Sequence, residues 1–326
     1  MKTRTSEGFL ARVAETGVRT VAVSADRAGQ RLDNFLLVTL KGVPKSHVYR
    51  LLRTGQVRVD GRRARPEHRL SEGERVRIPP VRMGPEAPVS VPPDAAADRI
   101  EAAIIHSDRD FIVLDKPAGL ASHGGSGIRF GAIELLRAAR PRETLELAHR
   151  LDRDTSGVLV ISRRRSALTA LQVEIRAARV RKRYLALLRG ALPQASLVVD
   201  APLRKDAVRG GERIVMVDAG GRPARSRFVE LERYPGSTLA EVTIESGRTH
   251  QIRVHAAHIG NPLAGDSKYG DREFDRRLRS AGLARMFLHA SRFAFDLGDR
   301  HFDFSAPLPE DLAAVLDKLT RTGRAG

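Results

Sequence analysis

The sequence predicts an α+β fold, made of a small N-terminal module and a larger mixed domain. In residues 100–319, segments with strand patterns outnumber segments with helical spacing, and the two kinds do not alternate regularly. This order favours α+β over a doubly wound parallel sheet. A chain of 326 residues is long enough for two domains, and a proline-rich stretch separates the two candidates.

The N-terminal module is predicted at residues 24–80, after a polar stretch, residues 1–23, that we expect to be a flexible arm. Apolar residues recur at helical spacing in the first helix: Leu32, Phe35, Leu36 and Leu40. Lys45–Gly55 has the start and stop of a second helix, with Ser46 as the expected N-cap and Gly55 as the residue just past the helix end.

The rest of the module has the pattern of a small sheet. Gln56–Val59 alternates like a strand, Asp60–Gly61 is typical of a hairpin turn, and Arg75–Ile78 alternates again. Six prolines between residues 79 and 93 disfavour regular structure, so residues 81–99 predict an extended, semi-rigid linker.

The larger domain is expected at residues 100–320, followed by a frayed tail at residues 321–326. Two segments predict helices, Ile133–Arg140 and Ser166–Arg176. Five segments predict strands, namely Phe111–Asp115, Val158–Ile161, Tyr184–Leu188, Leu239–Ile244 and Phe293–Phe295.

The charge balance indicates a polyanionic partner. The chain carries a formal net charge of +18, and residues 24–80 alone hold 13 Lys and Arg against 6 Asp and Glu. Compositional drift can enrich arginine over lysine but does not by itself create such an excess over acids. Nucleic acid is therefore the first inference, with an acidic membrane surface as the weaker alternative.

Other functions are excluded or disfavoured by composition. The absence of cysteine rules out disulfides, thiolate nucleophiles and Cys-ligated zinc. No long apolar run predicts a transmembrane helix, and the N-terminus has no apolar signal-peptide region. We therefore expect a cytoplasmic protein that does not associate with membranes, and we expect a monomer.

Two polar motifs carry the chemistry. His149–Gly157 places Asp152 between two arginines and ahead of a Thr-Ser-Gly turn. Ser246–His255 supplies further cationic and hydrogen-bonding groups about a hundred residues later. A carboxylate beside cations stays ionised and can act as a nucleophile.

These two motifs resemble the signatures of the RluA family of pseudouridine synthases, which isomerise uridine in RNA. Leu114–Gly119, Gly265–Gly270 and Phe287–Ala290 extend the resemblance, which covers about Ser24 to Leu319. Within the family, the chain is most similar to members that act on large-subunit (23S) ribosomal RNA. The resemblance implies a mixed, mostly antiparallel sheet with a cleft, and no cofactor.

The resemblance also implies roles for single residues. Asp152 matches the catalytic aspartate, and Arg253 matches its ion-pair partner, for which we expect a bidentate pair. Tyr184 matches a tyrosine that stacks on uracil, and a role as base would need a tuned pKa. Arg150 matches the arginine that replaces the flipped base, and His250 and Gln251 are expected to bind substrate.

The N-terminal module resembles the S4 RNA-binding domain over most of residues 27–78. Lys45–Arg53 and Gly55–Gly61 carry this resemblance. It implies that basic residues contact RNA phosphates, which position a protein without reading sequence. The candidate contacts are Arg31, Lys45, Arg50, Arg53 and Arg58.

The sequence is also compatible with three other functions. An S4-bearing assembly factor without catalysis would bind RNA only, and the same chemistry could act on transfer RNA. Asp152 and Asp154 could suggest a divalent metal and a nuclease, but the interposed arginines argue against a metal, so we expect none. Three histidines are expected to be structural hydrogen-bonding residues more than acid–base catalysts: His149, His250 and His289.

Overall fold

The computed structural model describes residues 17–40, 43–81, 94–125, 128, 130–209 and 212–324. The chain divides into two compact units, Met1–Val91 and Pro92–Gly326. The division lies inside the stretch predicted as a linker, most of which, residues 82–93, is outside the described residues.

The first unit is a four-stranded antiparallel sheet with two α-helices and a short 3-10 helix, Ala25–Arg27. Its elements in chain order are β1 (Arg19–Ala22), α1 (Leu32–Thr39), α2 (Lys45–Arg53), β2 (Arg58–Val59), β3 (Arg62–Arg63) and β4 (Arg75–Ile78). The strand order is β1-β4-β2-β3. The apolar faces of α1 and α2 pack on the sheet, and this packing completely buries Phe35, Val48 and Val76.

Two predictions for the first unit need correction. The expected flexible arm contains β1, which pairs with β4 along its whole length, so residues 19–22 are part of the sheet. The N-cap of α2 is Pro44 and not Ser46, because the Pro44 carbonyl already accepts the amides of His47 and Val48. The turn at Asp60–Gly61 is confirmed, with φ of 46° and 75°.

The second unit is built on a ten-stranded sheet flanked by helices. Its helices are α3 (Asp94–Ala102), α4 (Ala132–Ala139), α5 (Arg165–Arg176), α6 (Gln251–His258), α7 (Arg272–Ser280) and α8 (Glu310–Arg324). Its strands are β5 (Ile104–Ser107), β6 (Phe111–Lys116), β7 (Glu146–Leu147), β8 (Ser156–Ser162), β9 (Arg181–Arg189), β10 (Ser196–Asp200), β11 (Leu203–Arg209), β12 (Glu212–Val217), β13 (Arg225–Tyr234), β14 (Ser237–Ile244), β15 (Leu288–Leu297) and β16 (Arg300–Ser305).

The main sheet has the order β10-β13-β14-β9-β15-β8-β6-β5, with β16 paired to β15 and β7 to β8. Its pairs are antiparallel except β15 with β8, which is parallel. β11 and β12 form a separate two-stranded ribbon. The α+β class predicted from the sequence is therefore confirmed.

The centre of the main sheet is buried on both faces. Along β8, Val158 and Val160 enter one hydrophobic cluster, while Leu159 and Ile161 enter another on the opposite face. Alternating side chains of a strand point to opposite faces, so a continuous apolar run indicates cover on both sides. β8 thus gives the preceding loop a rigid base.

Two segments of the second unit are more ordered than predicted. α3 begins at Asp94, inside the expected linker, and α8 continues to Arg324, through part of the expected tail. Buried apolar residues explain both, since Ile100 fixes α3 to the core and Leu312 and Val315 fix α8. In the part of the chain that the structure describes, no helix has the length and apolar character to cross a membrane.

Candidate active site

Asp152 lies on the loop between β7 and β8, and two side chains from an earlier segment hold this loop. The Ser122 hydroxyl donates to the Leu151 carbonyl at 2.8 Å and accepts the Leu151 amide at 2.9 Å. The ammonium of Lys116 donates to the carbonyls of Arg153, Pro117 and Leu120 at 3.2, 2.8 and 2.6 Å. Both peptide neighbours of Asp152 are therefore fixed.

The turn after Asp152 is closed by a glycine that cannot be replaced without strain. Gly157 has φ of +106°, and a Cβ there would lie 2.2 Å from the carbonyl oxygen of Ala290. The close approach arises because Gly157 pairs with Ala290 in the parallel β8–β15 ladder. Glycine is required here both for its φ and for this contact.

Arg253, on α6, bridges two carboxylates. Its Nε and Nη2 donate to Asp266 at 2.7 Å each, while Nη1 lies 3.5 Å from Oδ2 of Asp152. The expected bidentate pair is therefore formed with Asp266 and not with Asp152, which corrects the sequence-based prediction. Two nitrogens of the guanidinium are hydrogen-bonded to Asp266, and the third nitrogen faces Asp152.

The pair of Arg253 and Asp266 is deeply buried, with side-chain exposures of 9% and 0%. Burial would raise the pKa of Asp266, but the hydrogen bonds from Arg253 and from the amides of Lys268 and Tyr269 lower it below its usual value. Burial would lower the pKa of Arg253, but Asp266 and then Asp152 raise it. Both groups are therefore charged at neutral pH.

His250 approaches Asp152 from the other side. It adopts a left-handed conformation with φ of 53°, immediately before α6, and its Nε2 lies 3.9 Å from Oδ2 of Asp152. Its Nδ1 is 2.9 Å from the Tyr269 hydroxyl, which accepts the Val215 amide. Burial lowers the pKa of His250 against the opposing effect of Asp152, so a neutral imidazole faces the carboxylate.

Tyr184 lies on β9 beside Asp152 and is 8% exposed. Burial, and then the nearby charge of Asp152, raise the pKa of its hydroxyl well above the usual value. Within the described residues, that hydroxyl has no hydrogen-bond partner. A protonated phenol suits packing against a nucleobase. It does not suit general-base catalysis, which would need a lowered pKa, whereas the pKa of Tyr184 is raised.

The other two predicted substrate contacts differ from each other. Arg150 is exposed at the cleft, with Nη1 3.2 Å from Nε2 of His123. Gln251 is 3% exposed, and its amide accepts from Ser246 and donates to Ser226. Because the protein satisfies the Gln251 amide, the geometry favours a positioning role over the predicted substrate contact.

A cleft of about 1050 Å³ connects these groups, and a recess of about 60 Å³ adjoins it at Asp152. Asp152, Tyr184, Arg150 and Ile244 line both. The lining of the cleft therefore includes an aromatic side chain, an aliphatic side chain and a carboxylate. A flat, polar ring could pack against these apolar side chains while a group attached to the ring lies near the carboxylate.

Two of the three histidines have structural roles, as predicted. Nε2 of His149 accepts the Val160 amide at 3.1 Å, and the ring stacks on Phe293. Burial lowers the pKa of His149 to about 3. His289 lies between the hydroxyl of Ser156 and the carbonyl of Ala306.

In the first unit, the predicted phosphate contacts are not equivalent. Arg31 is held by Asp33 through hydrogen bonds of 3.1 and 2.6 Å, whereas Arg50 and Arg53 are exposed on α2 without an ion pair in the described residues. Arg58 is also exposed. The backbone of Lys45 begins α2, but its side chain lies outside the described residues.

Arg58 is the middle of a row of three arginines across the sheet. Its Cα partners are Arg63 on β3 and Arg77 on β4. Arg58 donates to the Gly61 carbonyl at 3.1 Å and Arg77 to the Gln56 carbonyl at 3.3 Å, and Arg63 donates to the Arg53 carbonyl. These bonds fix the guanidinium groups without neutralising them.

Sequence reasoning missed Asp266, Tyr269 and Lys116 as parts of the site. All three lie in segments that the family resemblance includes, but nothing in their spacing indicates which distant residue they contact. A signal for Asp266 was available, because a buried arginine requires a carboxylate and Gly265–Gly270 supplies one. The choice among 39 acidic residues depends on the tertiary fold.

The fold and the site together place an aspartate, next to a buried arginine, in a cleft of a strongly basic chain. Residues 110–258 match the family model for RNA pseudouridylate synthase, and residues 30–76 match that for the S4 domain. The ribosomal large subunit pseudouridine synthase C of Haemophilus ducreyi is 48% identical over 308 residues, 93% of this chain and 96% of the relative.

A second relative gives the same result. The ribosomal large subunit pseudouridine synthase C of Escherichia coli (strain K12) is 49% identical over 312 residues, 93% of this chain and 97% of the relative. The chain therefore belongs to the RNA pseudouridylate synthase family, as the motifs predicted, and is an RNA pseudouridine synthase that carries an S4 domain.

A solved structure shows the same fold. The human RNA pseudouridylate synthase domain containing 4 superposes with a TM-score of 0.60 at 24% identity, covering 70% of this chain and 96% of that one.

Proposed function

We propose that this enzyme converts specific uridines of large-subunit (23S) ribosomal RNA to pseudouridine, since its relatives are named as ribosomal large subunit pseudouridine synthases. The carrying observation is the position of Asp152. It lies on a loop that Ser122 and Lys116 fix, faces Nη1 of Arg253 at 3.5 Å, and shares a cleft with Tyr184.

The reaction breaks the bond from C1′ to N1 of uridine and forms one from C1′ to C5. The detached uracil rotates within the cleft, N1 gains a proton, and C5 loses one, so the product is an isomer. Asp152 can attack the sugar or the base, or remove a sugar proton. Each route needs an ionised carboxylate, and the guanidinium of Arg253 lies 3.5 Å from that carboxylate.

Retention of the detached base is the second requirement. Tyr184 offers a protonated aromatic face and Ile244 an aliphatic one, and both line the cleft and the recess. A base held between such walls can rotate in its plane without diffusing away. The phenol contributes stacking and a hydrogen-bond donor, in agreement with its raised pKa.

Access to the cleft requires that the target uridine leave its stack, which costs roughly a few kcal/mol. Arg150 is exposed beside Asp152 and carries a planar cation. A guanidinium can stack between bases and so occupy the space of the departed uracil. We therefore assign Arg150 to stabilising the flipped state.

The S4 domain is proposed to provide affinity through phosphate contacts. Arg50, Arg53 and Arg58 are exposed cations, and the row of Arg58, Arg63 and Arg77 adds a fixed basic surface. Arg31 is a weaker candidate because Asp33 neutralises it. Affinity should therefore fall steeply with salt. We propose that the enzyme works in the cytoplasm, where it would meet this RNA.

The test is tritium release from a 23S ribosomal RNA transcript labelled at C5 of uridine, in the presence of EDTA. Wild type should release tritium, and Asp152→Asn, which keeps the side-chain shape, should release none while still binding RNA. Release from transfer RNA alone would move the substrate to transfer RNA. RNA binding without release from either substrate would favour a non-catalytic binding protein, and EDTA-sensitive cleavage would indicate a nuclease.

A further inference from the structure

Lys182 is a buried cation inside the cleft that the catalytic scheme does not use. It lies on β9 two positions before Tyr184, so both side chains point to the same face of the strand. Lys182 is only 5% exposed, yet it lines the cleft. Its neighbours on the strand, Arg181 and Arg183, point to the opposite face.

The ammonium of Lys182 is incompletely satisfied. It donates one hydrogen bond, to the Glu245 carbonyl at 3.2 Å, and it forms no ion pair among the described residues. The buried Lys116 is different, because its three donors meet three carbonyls. Lys182 therefore keeps two N–H donors without an acceptor among the residues that the structure describes.

The electrostatic surroundings of Lys182 are unfavourable for a cation. Burial, and then the positive charge of Arg248, lower the pKa of Lys182 to about 8. The nearby His149 is neutral at pH 7 and offers no negative charge. A buried charge without a partner destabilises the folded protein, and an anion supplied by a ligand would remove that cost.

We propose that Lys182 is a phosphate-binding residue of the cleft, which receives the phosphate of the nucleotide whose base lies on Tyr184. Two residues along a strand span about 7 Å, a distance that a nucleotide can bridge from its base to its own phosphate. This inference rests on the proposed RNA substrate. It assigns the part of the cleft at Lys182 to the backbone of the flipped nucleotide.

The test compares uridine 5′-monophosphate with uridine as ligands of the full-length protein at pH 7. A charge-assisted hydrogen bond contributes roughly 1.5–3 kcal/mol, so wild type should bind the monophosphate at least about tenfold more tightly than uridine. Lys182→Met should remove this preference. Lys205→Met, which removes an exposed ammonium from the same cleft, should retain it.

Lys182→Arg separates a binding role from a structural one. Arginine keeps its charge at pH 9, whereas Lys182 loses most of its charge above about pH 8. Wild type should therefore lose the preference for the monophosphate between pH 7 and pH 9, and Lys182→Arg should retain it. Lys182→Met should unfold at or above the wild-type temperature, because methionine removes an unpaired buried charge.

The proposal is overturned if wild type shows no preference for the monophosphate, or if Lys182→Met keeps the wild-type preference. Tritium release by wild type is measured separately. If wild type released no tritium, the proposed reaction would be refuted. The measured preference for uridine 5′-monophosphate over uridine would still test the role of Lys182.

Discussion

Asp266 holds Arg253 by two hydrogen bonds of 2.7 Å and so fixes the nitrogen that faces the carboxylate of Asp152. Two acidic residues thus share one guanidinium, and only one of them is open to the cleft. Asp266 itself is completely buried and also accepts the amides of Lys268 and Tyr269. Its role is to orient the cation and to balance its charge.

Asp266→Asn should damage both stability and catalysis. The amide cannot accept both guanidinium bonds, and it leaves the buried cation with only the 3.5 Å contact to Asp152, which costs roughly 3 kcal/mol or more. We expect a loss of this size in denaturant unfolding and a fall in kcat of about a hundredfold. Asp303→Asn, in a similar fork with Arg292 on the surface, should cost less than about 1 kcal/mol. Equal effects of the two variants would contradict the assigned role.

Ser122→Ala should loosen the catalytic loop. The hydroxyl serves both the amide and the carbonyl of Leu151, so its removal leaves two buried backbone groups unpaired, at roughly 1–3 kcal/mol. We expect kcat to fall more than the affinity for RNA, because the loop carries Asp152 and Arg150, whereas the main phosphate contacts are proposed in the S4 domain. Single-turnover rates and filter binding measure the two quantities. Ser280→Ala, which removes an exposed hydroxyl, is the control.

His149 should make the fold sensitive to acid. Its pKa falls from 6.5 to about 3 on folding, so below pH 6.5 the unfolded chain takes up a proton that the folded protein does not. The stability conferred by the neutral imidazole is complete above pH 6.5 and is lost as the pH falls towards 3. The loss by pH 5 is at most about 2 kcal/mol.

His149→Gln should remove this component of the pH dependence. Glutamine can accept the Val160 amide and does not titrate, so the difference in unfolding free energy between pH 7 and pH 5 should shrink. His258→Gln, at an exposed position of α6, should leave that difference as in wild type. An unchanged difference in His149→Gln would show that other groups govern acid unfolding.

The arginine row of the first unit should govern salt-dependent RNA binding. Arg58→Gln with Arg77→Gln removes two fixed cations from the sheet, so the slope of log affinity against log salt should fall by about 2. Affinity at 0.1 M salt should fall about tenfold or more. Arg31→Gln is the comparison, and it should change the slope little because Asp33 already neutralises Arg31. If Arg31→Gln alters the slope as much as the double variant, the row is not the phosphate contact.

The local elements could be predicted from the sequence where their patterns are strong. β8 is a continuous apolar run and α5 has helical spacing, so both were recognised with ends within a few residues. β7 was missed because two residues carry too little pattern, and β1 was missed because it lies in a stretch that was interpreted as a polar arm. Their strand conformation depends on the partner strands β4 and β8.

The site could be predicted only as a set of residues. The motifs identified Asp152, Tyr184 and Arg253, and the structure brings all three to one cleft and its recess. The partner of Arg253 could not be deduced, since the choice of carboxylate follows from how α6 packs against the loop after it. The burial of Lys182 was equally hidden, because a strand lysine is usually exposed.

The parallel pairing of β8 with β15 has a consequence for synthesis of the chain. Ser156, four residues after Asp152, is hydrogen-bonded to His289, which lies 133 residues later in the chain. Arg253 is hydrogen-bonded to Asp266, which is also synthesised after it. A nascent chain that ends before these residues emerge has an aspartate loop without its far support and an arginine without its counter-charge. The active centre can therefore mature only late in translation, after nearly all of the domain has left the ribosome.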